Sequence, residues 1–211
     1  MRLMGNPKEL KTAVAATLIT ASLFTGAKLP ARADTLPQRL VVQTVQDKLR
    51  VMVLQAQRSD QIDREKINLQ WQGEQEACNG AQRIQELQAR QISYIISANL
   101  RGIAQAAFGA NENIADQNIS IAFNKAETAA LMVRNEEAGA VDGVMASETY
   151  KLQNLQDTAR LQIVMGNNPY LQGNKIMKEA NVTVRDANKQ VAIIMSGADQ
   201  RVHVFLGPKC P

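Results

Sequence analysis

The residues able to do chemistry are few and scattered. His203 is the single histidine of the 211-residue chain, on the alternating segment Arg201–Leu206. One imidazole cannot build a His-rich zinc site, and Cys78 and Cys210 are far apart, with no C-x-x-C spacing. No serine sits in a G-x-S-x-G elbow, so a Ser/His/acid triad has no support. His203 is therefore read as a partly exposed strand residue rather than a base. Glu136 and Glu137 are adjacent, and Glu74 and Glu76 alternate, all on expected helices. Neighbouring helix positions point about 100° apart, whereas glycosidase carboxylates must face each other across a bond. These acids are read as solvated charge. No P-loop, dinucleotide fingerprint or calcium loop occurs. No catalytic residue, metal ligand or cofactor is assigned, and the chain is expected to be non-enzymatic.

The two cysteines have a different use. The chain opens with Arg2, Lys8 and Lys11, continues through an uncharged apolar run from Thr12 to Phe24, and reaches Ala31-Arg32-Ala33. A basic flank, a short apolar core and small residues at the exit describe a secretory signal over residues 1–33, cleaved before Asp34. The apolar run falls short of the roughly 20 helical residues needed to cross a bilayer. Export implies a periplasmic or extracellular location, where an even cysteine count favours a disulfide between Cys78 and Cys210, with an intermolecular bridge or free thiols as the alternatives. On the chain-entropy model such a long loop stabilises by about 5 kcal/mol, less any strain.

Removing the signal changes the charge balance. The whole chain carries 24 basic and 20 acidic residues. Five of the basic residues and one acid lie before Asp34, which leaves 24 − 5 = 19 against 20 − 1 = 19. A neutral chain without a basic cluster does not suit phosphate neutralisation, so direct nucleic-acid binding is disfavoured. No later segment is long and apolar enough to span a membrane. After residue 33 there are 21 Gln and 14 Asn but seven aromatics, which favours thin helix–helix seams over a thick core.

The elements follow from the spacing of apolar residues. Leu36-Pro37 opens a helix, and Val41, Val45, Leu49, Met52 and Ala56 mark one stripe. Asn79-Gly80 reads as a break. The helical period returns from Ala81 to Ala107, Phe108–Asn113 reads as a loop, and a long helix follows from Ile114. Val141, Val144, Met145, Leu152, Leu155, Ala159 and Ile163 continue its stripe, with Leu152, Leu155 and Ala159 as core or interaction positions. Gly139 and Gly143 mark a kink, a short break or a close helix contact; the GxxxG spacing is read as helix flexibility or local packing in water, because Glu136, Glu137 and Asp142 surround it. Gly166-Asn167-Asn168-Pro169 ends the helix. From Met177 to Ile194 a heptad stripe competes with short β-branched strands, and helix through about Met195 is favoured. Arg201–Leu206 is expected to be extended. The fold class is mainly α: an elongated three- or four-helix bundle over 34–166, with a C-terminal appendage over 167–211 that is a helix or short β meander plus a tail.

The Gln- and Leu-bearing run from Met145 to Gln162, with Leu152, Leu155 and Leu161 among Gln153, Gln156 and Gln162, resembles the last long helix of the minor pilin family of conjugative type IV secretion systems. The resemblance implies an exported helical-bundle protein of the pilus tip, concerned with pilus assembly and recipient contact. It carries over no functional residue. The expected function is thus that of a non-enzymatic structural component of a cell-envelope assembly. Its partners would be other envelope or secretion-apparatus proteins, and self-association is compatible with the same faces. A periplasmic chaperone or adaptor is the alternative, and a periplasmic enzyme a more distant one.

Overall fold

The computed structural model describes residues 34–99 and 103–207, and the chain divides into two units after Ala33. The second unit is mainly α, built of three long helices: α1 (Leu36–Asn99), α2 (Ile103–Met165) and α3 (Pro169–Leu206). No strand occurs among the described residues.

Local chemistry fixes the helix ends. At the start of α1 the Thr35 N–H and Oγ1 both donate to Gln38 Oε1, at 2.7 and 2.9 Å, and the Arg39 N–H donates to the Thr35 carbonyl at 3.0 Å. Pro37 follows in the first turn, where its missing N–H leaves no helical partner unpaired. Asn168 caps α3 by accepting from the Leu171 N–H at 3.1 Å, with Pro169 at the first helical position. Gly207 ends α3 at φ 58°, a left-handed conformation, and donates its N–H to the His203 carbonyl at 2.7 Å.

Three apolar clusters hold the helices together in sequence along their length. The first joins Val41–Ala56 of α1 to Leu152–Ile163 of α2 and to Ile176 and Ala180 of α3. The second joins Ile67, Val141, Met145 and Val191. The third joins Cys78 to Phe123, Ala130 and Val133 and to Ala198, Val202 and Leu206. The pairing requires α1 and α3 to run the same way and α2 to run against them. Val, Ala and Leu dominate these seams, consistent with a sequence poor in aromatics.

Several expected boundaries are corrected. Asn79-Gly80 lies inside α1 and Phe108–Asn113 inside α2; only Gly166–Pro169 interrupts the helices where a break was expected. Glycine in a helix costs about 1 kcal/mol relative to Ala, less than the burial of the flanking apolar residues returns. Around Gly80 that burial comes from Cys78 and Ala81, both in the third cluster. Gly139 and Gly143 do not interrupt α2, and neither has an atom within 4 Å of where a Cβ would stand. They make no close helix contact.

The C-terminal region differs most from expectation. Residues 174–196 are helical, and Arg201–Leu206 is the end of α3 rather than an extended segment. Ala198, Val202 and Leu206 recur every four residues, one helical turn apart, and all three enter the third cluster. Because α3 contributes to all three clusters, residues 167–207 are an integral layer of the core rather than an appendage.

Candidate functional site

Two charged layers interrupt the apolar seam, one on each side of the middle cluster. Both arise from the inward stripe of α2. Positions 130, 134, 137, 141, 145, 148, 152, 155, 159 and 163 recur in steps of three and four, and every one is buried. Arg134, Glu137 and Glu148 fill three of these places and are the buried charged residues of the described structure.

The first layer is paired. Arg134, 3% exposed, donates from Nη1 to Glu137 Oε2 and to Asp199 Oδ1, each at 2.7 Å. Its Nε donates to Glu74 Oε2 at 3.0 Å, and its Nη2 also reaches Glu74. One guanidinium therefore gathers carboxylates from all three helices. Burial pulls its pKa down, but the hydrogen bonds it donates to Glu74, Glu137 and Asp199 outweigh burial and leave Arg134 above its ordinary value. Burial raises Glu137; Arg134 opposes this, while the charges of Asp199 and Glu74 add to it. Three carboxylates share one cation, and the most buried of them takes up the imbalance. Glu137 Oε1 has no hydrogen-bond partner.

The second layer is unpaired. Glu148 is 3% exposed, its Oε2 has no partner, and desolvation raises its pKa. It lines a cavity of about 450 Å³ between the helices, with Met52, Gln55, Ala56, Arg58, Ser59 and Ile62 on α1, Met145 on α2, and Asn181, Val184 and Asn188 on α3. A buried carboxylate without a donor is costly, and the cavity is the space from which a donor would come.

The residues singled out from sequence are distributed as follows. Leu152, Leu155 and Ala159 are buried in the first cluster, so they hold the helices together. Cys78 is 1% exposed in the third cluster and is not a free thiol. Its expected partner, Cys210, lies outside the described residues, as do Ala31 and Ala33. Asp34 accepts from Arg160 Nη2 at 3.0 Å. His203 is an exposed helix residue, not a strand residue, and its backbone carbonyl accepts from the Gly207 N–H.

The reading of the acid pairs as solvated charge fails for two of the four. Glu137 is buried and Glu74 is half-buried, and both converge on Arg134. Glu76 is exposed, and Glu136 forms a surface pair with Arg201 at 2.9 Å. Arg134, Glu148 and Asp199 were missed. The stripe itself held the signal for Glu137 and Glu148, because each takes a step of three or four between apolar neighbours. Among the described residues no group of three or more His, Cys, Asp or Glu is arranged to hold a metal ion, and no helix is long and apolar enough to cross a membrane.

Comparison of the chain with protein-family models, with curated proteins and with solved structures finds no match.

Proposed function

We propose that this chain is an exported, non-enzymatic structural component of a cell-envelope assembly, of the kind found in conjugative type IV secretion pili. The observation that carries the reading is the uneven length of the helices. α3 ends at the level of Cys78 and Phe123, whereas α1 runs on to Asn99 and α2 begins at Ile103. At 1.5 Å per residue, about 30 Å of the α1–α2 hairpin extends beyond the third helix. Ile84, Leu87, Ile92, Tyr94 and Ile95 of this overhang are at least half exposed, Tyr94 by 74%. The overhang is held by polar pairs, Arg90 to Asp116 at 3.0 Å and Gln82 to Ser120 at 3.3 Å. Exposed apolar side chains on a projecting hairpin suit contact with another protein subunit. The secretory start of the sequence supports the envelope setting.

The test is cross-linking in cells from a photoreactive residue at position 94, with fractionation of sheared surface filaments. The expected result is cross-linked product in the filament or high-molecular-weight fraction, lost in Ile92→Asp. Cross-linking to one client in a small soluble complex supports the chaperone or adaptor reading instead. A chain that stays monomeric and uncross-linked overturns both.

A further inference from the structure

We propose that the cavity beside Glu148 is a binding site for a primary alkylammonium group, carried by a free aliphatic amine or by a lysine side chain. Glu148 reaches the cavity from α2, almost wholly removed from water, with Oε2 unpartnered. The charged residue of α1 on the lining is Arg58, which is exposed and forms no recorded ion pair with Glu148; the polar residues of α3 there, Asn181 and Asn188, are neutral. Among the described residues, Glu148 is thus a buried carboxylate that no cation pairs with. This contrasts with the layer one cluster away, where Arg134 pairs with Glu137.

The rest of the lining selects among cations. An ammonium has three donors and no acceptor. One would go to Glu148, leaving the others for the side-chain oxygens of Gln55, Ser59, Asn181 or Asn188. Met52, Met145 and Val184 offer apolar surface for a methylene stem. An ammonium needs a single acceptor from the carboxylate, and Oε2, buried and without a hydrogen-bond partner, supplies it. A bare metal ion would need more anionic ligands than this one carboxylate. Arg58 on the lining repels a second positive charge, so a monocation is preferred to a diamine.

The test is calorimetric titration of the purified chain at about pH 8 with n-butylammonium, Nα-acetyl-lysine methylamide, 1,4-diaminobutane and n-butanol. The expected result is saturable one-to-one binding of the first two, weaker binding of the diamine and none of the alcohol. A hydrogen bond to a charged group contributes enough that Glu148→Gln should lose about tenfold or more in affinity. Tighter binding of the lysine derivative points to a partner's side chain, and tighter binding of butylammonium to a free amine. In the wild-type chain, ligand should also lower the pH at which the Glu148 carboxyl carbon titrates by NMR, a readout independent of any variant. Absence of saturable binding by the wild type, equal affinity in a folded Glu148→Gln, or an unmoved carboxyl titration overturns the proposal.

Discussion

Arg134 and Glu137 stand one helical turn apart on the inward face of α2, where a hydrophobic pair would serve the seam as well. Removing one partner of a buried pair is worse than replacing both. Arg134→Met leaves Glu137 buried without its cation and is expected to cost about 3–5 kcal/mol in urea unfolding. The double replacement with Glu137→Leu should recover much of that loss; a double variant no more stable than the single one would contradict the account. Glu148 gives a prediction in pH. Burial raises its folded-state pKa above the ordinary 4.5, so the unfolded chain releases its proton first as pH rises. The stability it contributes is present below that value and is lost as pH climbs through the folded pKa. Glu148→Gln should therefore gain on the wild type as pH rises above the ordinary carboxylate value of 4.5. Urea midpoints over that rise in pH give the difference, and one that does not change with pH counts against a desolvated carboxylate. Position was legible for both glutamates, since each completes a run of three- and four-residue steps. Partnership was not: Glu74 and Asp199 meet Arg134 across 60 and 65 positions of chain.

At the scale of the element, glycines separate propensity from packing. Gly139 and Gly143 have open space where a Cβ would stand, so Ala at either should stabilise α2 by about 1 kcal/mol through helix propensity. Gly173 is the opposite case. A Cβ there would lie 2.8 Å from Val41 Cγ1 and 3.2 Å from Val45 Cγ2, both on stiff β-branched side chains in the first cluster. Gly173→Ala should lower the thermal midpoint while the two α2 variants raise it. The same contrast explains the unbroken helices. Asn79-Gly80 and Phe108–Asn113 carry poor helix formers, but long-range contacts bracket them. Arg90 of α1 approaches Glu112 at 4.0 Å and pairs with Asp116 at 3.0 Å, which requires both helices to continue past the expected loop.

For the whole molecule, α3 decides what is core and what projects. Leu206 packs in the same cluster as Cys78, four residues before Cys210. A Cys78–Cys210 bridge would therefore pin the end of α3 to α1. On the proposed secretory reading, intact mass spectrometry of the protein purified from cells without reductant should give a chain beginning at Asp34 with no alkylatable thiol. Two reactive thiols would remove the bridge, and a retained Met1 would remove the secretory reading.

By itself the sequence determined the helical class, the inward residues of the stripes and the turn at Gly166–Pro169, because these rest on periodicity and on what proline and glycine do to their own backbone. The tertiary structure alone decided how far each helix runs, that α3 belongs to the core, and that one buried acid has a cation while another faces an open cavity. Those outcomes depend on which surfaces meet across tens of residues, and packing energies there exceed the local preferences a sequence displays.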